Sequence, residues 1–149
     1  MPDVVLRRDL KEKLRFSGNT GIILGSGLGR LADALHDKIS IPYKNIESFP
    51  VSTVSGHNSD FVSGFYDNTQ LILARGRFHL YEGFDIDTIT LPIRVFNELS
   101  VKNIIITNSS GSMKIINVPG TPMIIDGHYD CTFRSDFSIP ILQEGEEYY

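Results

Sequence analysis

In "LARGRFHLYEG" (73–83), Arg77, His79 and Tyr81 alternate, with Arg75 just ahead and Glu82 just behind. In an extended chain that spacing puts the three on one side. A guanidinium is a fixed fork of donors for an oxyanion, and an imidazole can donate or accept near neutral pH. The series therefore suits holding a small anion. The plainer reading is the polar face of an edge strand, with Tyr81 a packing aromatic. Two other stretches carry similar chemistry. "GSGLG" (25–29) has glycines at 25 and 27 that let the backbone approach a ligand, a hydroxyl at Ser26, and a predicted helix start that favours an anion. It is not a dinucleotide fingerprint, because Arg30 stands where G-x-G-x-x-G needs glycine. "TNSSGS" (107–112) offers small residues whose backbone N–H groups a ligand could reach. For both stretches the plainer reading is a tight turn. His57, after Gly56 in a polar loop, reads by itself as an exposed histidine, and His36 and His128 carry no pattern, His36 being expected as a cation at a helix C-terminus.

These stretches need elements to position them. Apolar residues at 6, 10 and 14 predict a helix in 4–16. "IIL" ahead of Gly25 predicts a buried strand, and Leu28, Leu31 and Leu35 predict a helix over 28–36. Residues 39–60 read mostly as loop with short strands. Residues 61–78 read as a hairpin around Asp67-Asn68. Ile86, Ile89, Ile93, Phe96 and Leu99 mark a helix over 85–100, with Pro92 predicting a kink or a late start. A further buried strand running into a small-residue turn is expected at 101–112, and one more strand within 119–130. The fold class is α/β, a mixed central sheet flanked by helices, taken as one domain over 1–149. In such sheets ligands bind beyond the carboxyl ends of the strands, where three of the polar turns fall.

Composition narrows the function. Of 149 residues, 41% are hydrophobic and 21% charged, an ordinary globular balance with one real core. A net charge of −4 argues against a nucleic-acid or membrane-surface binder, both of which need a basic stripe. The one cysteine, Cys131, excludes an intrachain disulfide, and with no signal-peptide pattern at the start a reducing, cytoplasmic setting is expected. No apolar run approaches a membrane span. Four scattered histidines and no H-E-x-x-H or C-x-x-C pattern make a metal site unexpected. Ser26 has no G-x-S-x-G context, which disfavours a hydrolase nucleophile.

"GSGLG", "FPVSTVSGH", "GRFHLYEG", "LPIRVF" and "TNSSGS" come in the order and rough spacing of one family. From about residue 20 to about 112 the chain resembles the trimeric purine nucleoside phosphorylases, more nearly than the related methylthioadenosine phosphorylases. The resemblance implies cleavage of purine (deoxy)ribonucleosides by inorganic phosphate, giving free base and α-(deoxy)ribose 1-phosphate in purine salvage, with no cofactor or metal. It implies phosphate binding by Ser26, His57, Arg77, His79 and Ser109, with Asn108 beside them, ribose contact by Tyr81 and His79, and catalytic roles for His79 and His57. It implies a homotrimer with sites near subunit boundaries. Family chains run roughly twice this length or a little less, so the match covers an amino-terminal half and the chain is expected to be truncated. The purine-holding residues are then expected outside it, and part of the sheet is expected to be left uncovered. Beyond Gly111 the family pattern fades, with Gly120 and His128 in line. Arg75 lies outside the motif and is expected to be solvated. The competing readings are an inactive remnant that keeps a phosphate half-site or an oligomer surface, and a phosphate-binding module unrelated to nucleosides.

Overall fold

Residues 7–46, 49–50 and 59–127 are described by a computed structural model. Helix α1 (Arg7–Leu14) buries Leu10 and Leu14 and stops at Arg15, whose φ of 47° is left-handed. Strands β1 (Thr20–Leu24), β2 (His36–Pro42), β3 (Asp60–Tyr66), β4 (Thr69–Arg75) and β5 (Asn103–Ile106) form one sheet in the order β2-β3-β4-β1-β5. β3 and β4 make the expected hairpin, turning at Asp67, which takes a left-handed φ of 49°. β2 pairs antiparallel with β3, whereas β1 runs parallel to both β4 and β5. The sheet is thus mixed, as expected, and β4, β1 and β5 all end on one side of it.

The 85–100 stretch divides as its proline requires. Helix α2 (Ile86–Ile89) is capped by Asp85, which accepts from the Thr88 N–H at 2.8 Å. Helix α3 (Leu91–Glu98) restarts with Pro92 in its first turn, where a missing N–H costs nothing. Together they carry the chain from β4 over to β5, on the far side of β1, the crossover that parallel strands need.

Each sheet face has its own core. On one, Leu14, Phe16, Tyr43, Phe61, Ile72, Val95, Phe96 and Leu99 pack together. On the other, Leu24, Ala32, Leu35, Val62 and Leu73 form a smaller cluster.

Four expectations need correction. The strand expected to be buried at 101–112 is β5, and all four of its residues are exposed. The 28–36 helix is a 3-10 helix at Gly29–Ala34 whose buried residue is Ala32; Leu35, also buried, is its extended C-cap, and Leu28 and Leu31 are exposed. His36 is not a helix-terminal cation. It begins β2, stacks on Phe65 at 5.7 Å and bonds the Asp67 carbonyl at 3.0 Å. Of the strand expected within 119–130, residues 119–127 show none; their apolar side chains, such as Ile124, lie exposed with no ladder to join.

By backbone contacts the chain forms two compact units, Met1–Ser110 and Gly111–Tyr149. The first holds the sheet. In the second, the described residues form turns tied by short-range bonds, among them Asn117 Nδ2 to Ser112 Oγ at 2.9 Å. No described helix is long and apolar enough to cross a membrane.

Candidate functional site

The site is assembled by strand direction. Because β4, β1 and β5 are adjacent and parallel, the loops that leave them, 76–79, 25–28 and 107–110, emerge side by side. Hydrogen bonds then lock the last two together. Thr107 Oγ1 donates to the Ile23 carbonyl and accepts from the Gly25 N–H, both at 2.9 Å. Ser109 Oγ donates to the Ser26 carbonyl at 3.1 Å. The close approach requires glycine at 25, since a Cβ there would lie 2.5 Å from the Thr107 carbonyl oxygen and 2.8 Å from Asn108 Cα. Ser26, Asn108 and Ser109 are exposed along this rim. Among the described residues the N–H groups of Ser26 and Gly27 meet no acceptor, so a turn with free donors faces outward. The helix-dipole argument for this turn falls away, because the element after it is not an α-helix but a short 3-10 helix of six residues.

The Arg77 series is not a strand face. β4 ends at Arg75, and Gly76 turns the chain with a left-handed φ of 82°. β4 is not an edge strand either, since β3 and β1 flank it. His79 opens the 3-10 turn Leu80–Glu82, which contains Tyr81. The local geometry nevertheless brings two of the three together: the His79 and Tyr81 rings stack at 4.7 Å, 19° from parallel. Tyr81 is 82% exposed and so has a free ring face. Arg77 is half-buried and has no ion-pair partner among the described residues. A guanidinium offers a fixed fork of donors suited to an oxyanion. His57 and His128 lie outside the described residues.

Four residues matter here that the sequence reading gave no role or a wrong one. Glu82 accepts from the His79 backbone N–H at 3.1 Å and meets His79 Nδ1 at 2.7 Å. As a carboxylate it can only accept, so Nδ1 carries the proton and Nε2 is left for another partner. The i, i+3 spacing of His79 and Glu82 was the available signal. Thr107 reads in the sequence as one small residue among several, yet its hydroxyl both donates and accepts across the two loops. Tyr43 sits in the aromatic core and donates its hydroxyl to the Gly76 carbonyl at 3.1 Å; burial pushes its phenol far above the usual range. Arg75 is not solvated. It makes a two-pronged ion pair with Asp60, Nε to Oδ1 at 2.7 Å and Nη2 to Oδ2 at 2.5 Å, and the hydrogen bond to Asp60 raises its already high pKa.

Residues 19–148 match the family described as Phosphorylase superfamily. The chain belongs to it. Among curated relatives, purine nucleoside phosphorylase 1 of Geobacillus stearothermophilus is 46% identical over 119 residues, 80% of this chain and 43% of that protein. The Bacillus subtilis protein of the same name is 41% identical over 80% of this chain and 44% of its own length. Among solved structures, a purine nucleoside phosphorylase in complex with ribose-1-phosphate is 40% identical with a TM-score of 0.67, covering 74% of this chain and 41% of that one. The Schistosoma mansoni purine nucleoside phosphorylase in complex with inosine is 37% identical with a TM-score of 0.66, covering 74% and 38%. This superfamily chain therefore spans less than half the length of the relatives it matches.

Proposed function

We propose that this chain supplies the phosphate- and ribose-binding side of a purine nucleoside phosphorylase, a pentosyltransferase that exchanges the base of a purine (deoxy)ribonucleoside for inorganic phosphate. The observation that carries the reading is the meeting of three loops beyond parallel strand ends, with the Thr107–Gly25 and Ser109–Ser26 bonds closing two of them into one rim. Relatives named for this activity, and structures holding ribose-1-phosphate or inosine, support the same substrate class.

In this reading Arg77 clamps the phosphate with its guanidinium, and the backbone N–H groups of Ser26 and Ser109 with the Ser26 hydroxyl take further oxygens. His79, oriented by Glu82, offers Nε2 between phosphate and sugar. Tyr81 lays its free ring face against the ribose, and His57 handles a proton beside the anion. As the base departs, positive charge spreads over the ribosyl ring, as in glycoside hydrolysis. A phosphate held below the ring stabilises that charge, then attacks the anomeric carbon. Phosphate gains the sugar bond, the purine leaves with the bonding pair, and a proton goes to the base. The protein's work is orientation and electrostatic stabilisation, which phosphate and these side chains supply without a metal or organic cofactor. The reading carries with it purine salvage in the cytoplasm and a homotrimer.

The test is to incubate the protein with inosine and phosphate and follow hypoxanthine. Phosphate-dependent release supports the reading. No release, with phosphate still protecting against thermal unfolding, favours an inactive chain that keeps a phosphate half-site. Protection by phosphate with none by inosine analogues favours a phosphate-binding module.

A further inference from the structure

We propose that Asp60, Arg75 and Ser40 form a positioning device for the phosphate end of this site, acting through the loop that carries Arg77 and without touching ligand. The inference deepens the phosphate-binding reading and rests on it. Asp60 is the first residue of β3 and Arg75 the last of β4, and the two face each other in register. Ser40 of β2 donates to Asp60 Oδ2 at 2.5 Å, so three neighbouring strands are tied at the end of the sheet from which the 76–79 loop departs. The side chains of Asp60 and Arg75 are only 8% and 17% exposed. A pair this buried gives little net stability over apolar residues of the same volume, since desolvation offsets most of the attraction. Its location suggests what it does instead. The next residue is Gly76, whose left-handed φ makes it the one soft joint between the sheet and Arg77. That joint is gripped from both faces. Arg75 is held on the face shared with Val62 and Leu73, and Tyr43 reaches the Gly76 carbonyl from the aromatic core on the other. The two-pronged geometry matters more than the charge, because a fork fixes direction where an ammonium does not.

The test combines calorimetric titration with inorganic phosphate and amide hydrogen exchange on the chain and its Arg75→Gln, Arg75→Lys and Ser40→Ala variants, at a temperature where each is folded. We expect Arg75→Gln and Arg75→Lys to weaken phosphate alike, by about tenfold, as a small misplacement of a binding group does. Ser40→Ala, which keeps the ion pair, shifts affinity in the same direction but less. Amides of 76–79 exchange faster in the Arg75 variants while those of β1 hold their rates. Wild-type phosphate affinity in Arg75→Gln overturns the proposal, as does full rescue by lysine, which would make charge alone sufficient. Faster exchange everywhere overturns it too, because the pair would then serve general stability. If the unaltered chain binds no phosphate, the functional reading itself fails and the link to ligand goes with it; local exchange at 76–79 would still mark the network as that loop's anchor and so tell the two failures apart.

Discussion

β4 and β5 are alike in sequence and opposite in circumstance. Both run parallel to β1, both carry an apolar run, and both end in a loop of the candidate site. Ile72, Leu73 and Ala74 in the centre of β4 are buried, whereas all four residues of β5 are exposed, with Ile106 at 61%. Strands of a parallel sheet are normally covered on both faces. The apolar run in β5 therefore records a demand for cover that the described residues of this chain do not meet. The loops differ in the same sense. The one after β4 is gripped by an ion pair and a buried phenol, the one after β5 by a threonine and a serine hydroxyl. Strength of anchoring and depth of burial go together.

The comparison can be broken first at the core. Phe96→Ala, at a side chain with no exposed surface, is expected to cost about 3–5 kcal/mol, whereas Ile105→Ala in β5 stays within about 0.5 kcal/mol, both by denaturant unfolding. A large cost at Ile105 would mean that β5 is covered in solution. Next comes the contact between loops. Gly25→Ala drives a Cβ into the Thr107 carbonyl and is expected to cost about 1–3 kcal/mol, with loss of protection by phosphate in thermal melts. Thr107→Val keeps the shape but removes a donor and an acceptor; we expect about 1–2 kcal/mol and weaker phosphate protection. The smallest effect belongs to the opposite end of the sheet. His36 has its pKa raised by its hydrogen bond to Asp37 and then by the Asp67 carbonyl. Its contribution is complete below the unfolded value, about 6.5, and is lost as pH rises through the higher folded one. The Tm should fall slightly between pH 6 and pH 8, His36→Gln should lack that component, and phosphate affinity should not follow it.

Elements with strong local signals were legible in the sequence. The Asp67-Asn68 hairpin and the restart at Pro92 rest on turn and proline chemistry that no distant contact overrides. The 28–36 stretch misled because leucines at a helical spacing do not say which of them find a core; Ala32 and Leu35 did, and Leu28 and Leu31 did not. In the candidate site, residue types were legible and arrangement was not. Alternation of Arg77, His79 and Tyr81 suggested a strand, but a single left-handed glycine at 76 converts it to a loop. Arg75 seemed idle because its partner, Asp60, is 15 residues away in sequence and adjacent only once β3 and β4 pair. Long-range pairing of this kind leaves no local pattern to read.

The central claim is that these strand-end loops bind phosphate through Arg77. Isothermal titration of the chain and of Arg77→Ala with inorganic phosphate tests it most directly. We predict saturable binding to the unaltered chain and a loss of roughly tenfold or more in Arg77→Ala, the worth of a charge-assisted hydrogen bond, with nucleoside binding less affected. Equal phosphate affinity in the two proteins, or an equal loss of both ligands in a folded variant, would contradict it.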